Sequence, residues 1–427
     1  MVKEATNLGD GLVLAYLVSQ YPAVSHTFIL REIQQLGRLG LVIRTASVKP
    51  PAASANGFTE AEAREAAATF YVKTRHPGRI LGDHAACLVR RPRAYLAGLL
   101  LALRLAGPDL RAMGYHLAYF AEAVVIGEWM RRSGAGHLHV HFANAACTAA
   151  LLLRKTHGIS YSITVHGPDE FYDASVYRVR EKIEGAAFIC CISRFCRSQL
   201  MKESALADWE KMEVCRLGVD PEVFAPRTPP RGGAFQALCV GTLIARKGQA
   251  VLLEAVAKAT ARGRLLRVDF VGDGPERRAL EDAAARLGIA DRVTFHGSLS
   301  QDRVRELLER ADAFVLPSFA EGVPVSLMEA MAMEIPCIGT AIAGIPELIE
   351  SGEDGILVPA SDASLLAEAI ERLIDDPEWR LRLGRAGRRK VIESYNLAAN
   401  VERLAGIFER RLGIRPQAAA ARRAAHP

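Results

Sequence analysis

The chain has 427 residues and half of them are apolar, so two domains with sizeable cores are expected, and a mainly disordered chain is excluded. Its net charge of +6 is modest and uneven, because ten Lys/Arg stand against four Asp/Glu between Lys73 and Arg132. No nucleic-acid-binding module accompanies this excess, so we expect no nucleic acid partner.

The N-terminus, with acidic residues ahead of a short apolar run, is not typical of a signal peptide. No apolar run reaches the roughly 18 to 20 residues of a membrane-spanning helix. The eight cysteines are scattered, and no two have the C-x-x-C spacing of a zinc or redox site. We therefore expect a cytoplasmic protein with buried thiols.

The first half alternates short apolar runs with helical patterns, as βα units of a parallel sheet do. "GLVLAYLV" predicts a buried strand and "FILREIQQLGRLG" a helix. "HLHVHF", residues 137–142, predicts another strand, and the helix after it is capped by Asn144 and ended by Gly158.

That strand places His137, His139 and His141 on one face, as metal ligands often are. The neighbouring sequence offers no carboxylate to complete a site. Packing or acceptor-side roles are therefore preferred to a metalloenzyme, although ligands from distant parts of the chain stay open.

Between these segments lies "RRPRAYLAGLLLALRLAG", in which Arg90, Arg91 and Arg93 precede an apolar helix interrupted by Arg104. Such a segment can lie on an anionic membrane surface, here the inner face of the cytoplasmic membrane. A core helix with a solvated basic end explains it equally well.

A Pro- and Gly-rich stretch indicates a linker, after which a second alternation of strands and helices begins. We predict an α/β fold of two Rossmann-like lobes facing across a cleft. The predicted division is a first lobe over 1–225, a linker over 226–233, a second lobe over 234–395, a C-terminal helix over 396–414 packing toward the first lobe, and a disordered tail over 415–427. Ligands are expected beyond the carboxyl ends of the strands.

The most informative loop is "LPSFAEGVPVSLMEAMAMEIP", in which a strand is followed by Glu321 and then by a helix that contains Glu329. Free backbone N–H groups at the helix start form an anion site. The stretch that carries it is Gly322, Val323, Pro324, Val325 and Ser326, of which Pro324 alone has no N–H to donate. Carboxylates bind diols, so two of them flanking an anion site predict a sugar nucleotide.

Arg246 and Lys247 follow another strand of the second lobe and can stabilise a diphosphate leaving group. Gly272 and Gly274 begin a dinucleotide-like fingerprint, but Arg277 replaces its third glycine, so NAD is not expected. No D-x-D motif is present to hold a metal-bound diphosphate. We expect no metal and no cofactor.

These motifs, with "VGTLIARKG", "VGDGPERRALE" and "GEDGILVPASDASLLAEAI", resemble family 4 of the retaining glycosyltransferases, which have the GT-B fold. The resemblance implies that Glu321 contacts the transferred sugar, that Glu329 binds the nucleotide ribose and that Lys247 binds the diphosphate. In the family's "VGRL" pattern, after Gly241, Thr242 stands in place of the arginine. Whether Arg246 supplies the missing charge stays open.

The first lobe is similar to bacterial exopolysaccharide glycosyltransferases of the colanic acid type, through "YPAVSHTFILREIQQL", "HLHVHFANAA" and "SITVHGPDEFYD". His166 is the first-lobe residue expected to reach the sugar, oriented by Asp169. Ser25, His26 and His141 are assigned to the acceptor side, with His26 where the group commonly has Glu. The resemblance implies a UDP- or GDP-linked hexose as donor and a glycan or lipid-linked oligosaccharide as acceptor.

Retention without a nucleophile implies front-face attack, in which the departing phosphate helps to deprotonate the acceptor hydroxyl. Three alternatives stay open: a sugar-nucleotide epimerase, a phosphorylase with a lysine-bound pyridoxal cofactor, and a non-catalytic partner in envelope assembly.

Overall fold

The protein, described here by a computed structural model over residues 13–23, 27–51, 58–167, 169–228 and 232–414, divides into two compact units. The first unit comprises Met1–Cys215 together with Val401–Pro427, and the second comprises Arg216–Asn400. Each unit contains one parallel sheet with helices.

In the part of the first unit that the structure describes, seven strands form the sheet. They are β1 (Val13–Gln20), β2 (Ile43–Lys49), β3 (Phe70–Tyr71), β4 (Ala135–His141), β5 (Ser160–Val165), β6 (Ile189–Cys191) and β7 (Met212–Val214). Their order in the sheet is β3-β2-β1-β4-β5-β6-β7.

Along the same stretch of chain, the described residues contain nine α-helices. They are α1 (Thr27–Arg38), α2 (Glu60–Ala68), α3 (Pro77–Arg90), α4 (Pro92–Ala106), α5 (Leu110–Ser133), α6 (Ala145–His157), α7 (Asp169–Tyr172), α8 (Val179–Gly185) and α9 (Arg194–Lys202). The predicted ends of α6 are confirmed: the Asn144 side chain accepts a hydrogen bond from the backbone N–H of Ala146, and Gly158 ends the helix with a φ of 71°.

Six strands form the sheet of the second unit over its described residues, 216–228 and 232–400. They are β8 (Phe235–Val240), β9 (Leu266–Val271), β10 (Val293–Phe295), β11 (Ala313–Leu316), β12 (Cys337–Thr340) and β13 (Ile356–Val358). Their order is β10-β9-β8-β11-β12-β13. The remaining helices are α10 (Gln249–Ala261), α11 (Arg277–Arg286), α12 (Gln301–Arg310), α13 (Val325–Ala332), α14 (Ile345–Leu348), α15 (Ala363–Asp375), α16 (Pro377–Ser394) and α17 (Leu397–Leu412).

The two sheets share one topology: the second and third strands lie on one side of the first strand, and the later strands lie on its other side. The direction reverses between β1 and β4 in the first unit and between β8 and β11 in the second. Ligands of such sheets bind at this switch point, beyond the carboxyl ends of the strands. The topology therefore marks one place in each unit where functional side chains are expected.

The division between the units differs from the predicted boundary at residue 225, because residues 216–225 belong to the second unit. The Arg388 guanidinium of α16 donates hydrogen bonds to the carbonyls of Pro221 and Phe224, at 3.1 and 3.0 Å. Helix α17 crosses the second division, after Asn400. Its Phe408 packs against His139 and Phe188 of the first unit. The predicted tail over 415–427 lies outside the described residues.

All eight cysteines are free and buried, in agreement with the expectation of buried thiols. In the part of the chain that the structure describes, no helix combines the length and apolar character required to cross a bilayer.

Candidate functional site

The loops that follow β8 and β11 meet at the switch point of the second sheet, where the Lys247 ammonium donates a hydrogen bond of 2.6 Å to Glu321 Oε1. Lys247 ends a short 3₁₀ turn, Ala245–Lys247, directly before α10. Both side chains are largely buried, with exposed fractions of 18% and 9%. The attraction within an ion pair at this depth is stronger than in a surface pair because solvent screens it less, although burial also removes water from both charged groups.

Further hydrogen bonds fix the Glu321 loop. The Ser318 hydroxyl donates to Glu321 Oε1 at 2.7 Å, and the Thr340 hydroxyl donates to the Ser318 carbonyl at 2.6 Å. The backbone N–H of Phe319 donates to the carbonyl of Arg246 at 2.7 Å. The two loops are therefore tied through their backbones as well as through the ion pair.

Gly248 permits this close approach. Its φ is +65°, and a Cβ atom built there would lie 2.1 Å from the carbonyl oxygen of Pro317. Gly272 and Gly274 have a similar role, because Cβ atoms there would lie 2.1 and 2.3 Å from the carbonyl oxygens of Gly241 and Leu243. The glycines of the incomplete dinucleotide fingerprint thus pack against the loop after β8.

The predicted anion site lies at the start of α13. Pro324 directly precedes the helix, and no side chain caps its N-terminus. Gly322 and Val323 form a bend ahead of it, and the Gly322 carbonyl accepts a hydrogen bond from the Gly344 N–H at 3.1 Å. Val325 and Ser326 occupy the first turn, where helical N–H groups have no intrahelical acceptor.

Glu329 lies within α13 and is buried. Its Oε1 accepts a hydrogen bond of 3.1 Å from the side-chain amide of Gln301, the first residue of α12. The sequence did not single out Gln301. Thr242 is exposed, and its carbonyl accepts a hydrogen bond of 3.0 Å from the Gln249 side chain. Arg246 is half-buried, and whether it replaces the arginine missing at Thr242 stays open.

In the first unit, the three histidines of β4 share one buried face, as predicted, opposite hydroxyl residues of β5. His137 is hydrogen-bonded to Ser160 and Ser162 through its Nδ1 and Nε2, at 2.7 and 2.8 Å. His139 is bonded in the same way to Ser162 and Thr164, both at 2.8 Å. Burial lowers the pKa of His137 to about 3, so its imidazole is neutral at physiological pH.

His141, at the end of β4 and the switch point of the first sheet, has a different partner. Its Nδ1 lies 2.9 Å from Nε2 of His166, and the two rings are stacked with centroids 5.1 Å apart. Its Nε2 lies 3.4 Å from Glu32 Oε1, which also accepts a hydrogen bond from Tyr16. Two predicted residues, His141 and His166, are thus brought together, and Glu32 of α1 joins them.

Glu170, which the sequence did not single out, accepts hydrogen bonds from the backbone at His166, Gly167 and Ala143. Asp169 is the first residue of α7. The Ser25 and His26 predictions lie outside the described residues.

Two groups of side chains within the described residues have the composition of a metal site: Glu32 with His139 and His141, and Cys87 with Glu128 and His157. Glu32 is the carboxylate that the sequence around "HLHVHF" does not offer. Both nitrogens of His139 already contact hydroxyl groups, and Glu128 contacts Arg90 and Arg131. Neither group involves the Lys247–Glu321 pair.

Two family models match consecutive parts of the chain. The model described as Glycosyltransferase Family 4 matches residues 87–223, which include His141 and His166, and the model described as Glycosyl transferases group 1 matches residues 222–390, which include Lys247, Glu321 and Glu329. The chain belongs to these glycosyltransferases. Its resemblance to the colanic acid type is also confirmed, by the relatives below.

Alpha-D-kanosaminyltransferase of Streptomyces kanamyceticus is 37% identical to this glycosyltransferase over 177 residues, 42% of this chain and 46% of the relative. The chain thus spans about half the length of that curated relative. The putative colanic acid biosynthesis glycosyltransferase WcaL of Escherichia coli is 27% identical over 412 residues, 93% of this chain and 99% of the relative.

The crystal structure of the Anabaena protein HepE in complex with UDP-glucose covers 93% of this chain and 100% of its own, with a TM-score of 0.71 and 16% sequence identity. At that identity the likeness establishes the fold. The glycosyltransferase has the α/β GT-B fold with two Rossmann-like sheets, as the sequence predicted.

Proposed function

We propose that this glycosyltransferase transfers a hexose, with retention, from a UDP- or GDP-linked sugar to a growing lipid-linked exopolysaccharide or other envelope glycan. The observation that carries the donor part is the Lys247–Glu321 pair at the switch point of the second sheet. HepE was crystallised with UDP-glucose, and WcaL is named for colanic acid biosynthesis. Both names support the proposal.

In the proposed donor site, the N–H groups at the start of α13 and the Lys247 ammonium stabilise the diphosphate as negative charge develops on it. Glu321 accepts hydrogen bonds from hydroxyls of the sugar, and Glu329, held by Gln301, accepts them from the ribose. Lys247 and the helix terminus supply the positive charge that a metal ion supplies elsewhere, so we propose a reaction without metal or other cofactor.

The proposed first-unit residues are His166, acting on the transferred sugar, and His141, on the acceptor side. The departing phosphate takes the proton of the acceptor hydroxyl, so no separate base and nucleophile are required. His166 is buried at the carboxyl end of β5 and fixed by His141. An oriented imidazole of this kind can stabilise charge at the sugar.

A panel of UDP- and GDP-sugars tests the donor assignment through sugar hydrolysis and thermal shift, since a ligand at 100 times its Kd stabilises the native state by about 2.7 kcal/mol. Lys247→Met and Glu321→Gln should abolish hydrolysis, and Lys247→Met should also abolish the shift. Lys258→Met, at an exposed position of α10, is the matched control. Unchanged hydrolysis in Glu321→Gln would contradict the site, and EDTA inhibition reversed by Mg²⁺ or Mn²⁺ would contradict metal independence.

We also propose that the first unit rests on the inner face of the cytoplasmic membrane through α4. Arg93, Leu96, Leu100 and Arg104 recur every three or four residues, so they share one helix face, and all four are exposed. Arg90 and Arg91 have other contacts, with Glu128 and with the carbonyl of His157. The basic cluster is therefore partly structural, and the exposed face of α4 carries the membrane proposal.

Flotation with anionic vesicles tests this second proposal. Leu96→Asp/Leu100→Asp should reduce the bound fraction several-fold, because apolar area and cationic charge both contribute to interfacial binding. Leu265→Asp, at an exposed position of the second unit, is the control. Absence of binding by the unmodified protein at low salt would refute the proposal.

A further inference from the structure

Two buried charged side chains, Glu170 of α7 and Lys182 of α8, lie beside the switch point of the first sheet. Glu170 is 4% exposed and Lys182 is 1% exposed. Burying a carboxylate and an ammonium costs several kcal/mol each, and apolar side chains of similar size would usually be as stabilising. Their presence therefore calls for an explanation other than the stability of the fold.

Glu170 joins the loops that follow two neighbouring strands. Its Oε2 accepts hydrogen bonds from the backbone N–H groups of His166 and Gly167, at 2.8 and 3.0 Å, after β5. Its Oε1 accepts from the N–H of Ala143, after β4. Burial raises the pKa of the Glu170 carboxyl to about 7, although these three donors and Lys182 act in the opposite direction.

Lys182 binds backbone carbonyl groups of the same loop after β4. Its ammonium donates hydrogen bonds of 2.8 Å to the carbonyls of Ala143 and Asn144. Burial lowers the pKa of this ammonium to about 8. Ala143 is therefore held through its N–H by Glu170 and through its C=O by Lys182.

The hydrogen bonds to both sides of Ala143 maintain an unusual backbone conformation at the preceding residue, Phe142. Phe142 has a φ of 73°, a left-handed conformation that is rare for a residue with a bulky side chain. Such a conformation costs about 1–3 kcal/mol and persists only where the surroundings over-determine it. The pairing of β4 with β5 fixes the backbone before Phe142, and the hydrogen bonds from Ala143 to Glu170 and Lys182 fix the backbone after it. Its ring lies 4.6 Å from the ring of His166.

The strained turn at Phe142 and the N–H contacts at His166 set where two imidazoles meet. His141 Nδ1 and His166 Nε2 are 2.9 Å apart. Glu170 binds the backbone N–H of His166 itself, and His141 lies two residues before Ala143, which Glu170 and Lys182 both bind. A shift of either loop would separate these two nitrogens.

We propose that Glu170 and Lys182 are positioning residues of the transfer reaction, which clamp the loops after β4 and β5 so that His166 is held against His141. The inference rests on the proposed role of His166 at the transferred sugar. The pair acts through the backbone and does not itself touch substrate. Donor binding, which we assign to the second unit, is independent of it.

Steady-state kinetics of Glu170→Ala, Glu170→Gln and Lys182→Met test the proposal. A misplacement of about 1 Å costs up to about 100-fold in rate, so kcat of Glu170→Ala should fall by that order while KM for the donor stays within about two-fold. Glu170→Gln keeps an oxygen for the His166 and Gly167 N–H groups but turns its amide toward the Ala143 N–H. An intermediate loss of about ten-fold is expected.

The double variant Glu170→Gln/Lys182→Met separates positioning from charge compensation. Removing both charges should restore most of the unfolding midpoint lost in the single variants, because no buried charge is left alone. It should not restore kcat. The imidazole ¹⁵N shifts of His141 and His166 should change in every variant with lowered kcat.

Three results would overturn the proposal: recovery of kcat together with stability in the double variant, unchanged imidazole shifts despite lost activity, or a kcat that tracks only the folded fraction. His166→Ala separates the proposed role of His166 from the positioning role of Glu170 and Lys182. If it stays active, the proposed role of His166 fails. If it is inactive while the folded Glu170 variants keep full kcat, only the positioning role fails.

Discussion

Substitution of Gly248 by alanine probes the contact between the two loops of the second-unit site. Gly248 has a φ of +65°, and a Cβ atom added to it would lie 2.1 Å from the carbonyl oxygen of Pro317. Real Cβ atoms essentially never lie closer than 3.0 Å to such an atom, so the loops after β8 and β11 must separate by roughly 1 Å. The Lys247–Glu321 hydrogen bond of 2.6 Å spans those loops.

The expected loss of stability has two parts. An alanine in the left-handed region costs roughly 1–2 kcal/mol, of which its lower chain entropy in the unfolded state offsets about 0.4–1 kcal/mol. Overpacking against the carbonyl adds about 1–3 kcal/mol. We therefore expect Gly248→Ala to lower the free energy of unfolding by about 2–4 kcal/mol and to abolish transfer, because the displaced Lys247 no longer lies beside Glu321.

Gly263 provides a matched control within the same unit. It follows α10 with a φ of +82°, and a Cβ atom there would have no neighbour within 4 Å. Gly263→Ala has only the backbone strain, so about 1 kcal/mol is expected, with activity unchanged. Urea unfolding and a donor hydrolysis assay measure both variants. Equal destabilisation of the two, or full activity in folded Gly248→Ala, would refute the reasoning.

Three further predictions concern other contacts. Gln301→Ala should raise KM for the donor several-fold with kcat nearly unchanged, because it frees Glu329, whereas an unchanged KM would separate Glu329 from donor binding. His137→Asn should make the free energy of unfolding less dependent on pH below 6.5. Burial lowers the native pKa of His137 to about 3, so the stabilisation by the neutral imidazole is complete above pH 6.5. Below pH 6.5 it falls by about 1.4 kcal/mol per pH unit. Urea midpoints at several pH values give that slope, and an identical slope in the variant would contradict it. Glu170→Gln should have the opposite pH dependence, because the native pKa of Glu170 is raised to about 7. The stabilisation by the protonated Glu170 is complete below its unfolded pKa of 4.5 and is lost as pH rises through 7. A difference in urea midpoint between variant and unmodified protein that did not change over this window would count against it.

Local patterns were sufficient to predict many elements of the fold. The strand at β1, the helix at α1 and the two ends of α6 follow from apolar periodicity, an Asn cap and a terminal glycine. The proximity of Lys247 and Glu321 could also be anticipated, since both follow strands of one parallel sheet, although β8 and β11 are not consecutive in sequence.

Residues that act through burial were not predictable in the same way. Glu170 looks like a solvated neighbour of Asp169 in "HGPDEF", and Lys182 lies in a segment with the charge pattern of an exposed helix. Only the tertiary structure shows that both side chains turn inward to backbone groups. The division after Cys215 differs from the predicted boundary for a related reason, because residues 217–224 are hydrogen-bonded to residues more than 160 positions later in the chain, Arg388 and Asn400 among them.

The histidine ladder of β4 also affects how the first sheet assembles. A slip of one residue between β4 and β5 would place His137 and His139 beside Tyr161 and Ile163 instead of the hydroxyl residues. Each imidazole nitrogen or hydroxyl left without a partner in the interior costs about 1–3 kcal/mol. The ladder therefore disfavours a slip of one residue between these two strands. A sheet centre misaligned by one residue is thus penalised, and the native register places His141 at the carboxyl edge of the sheet.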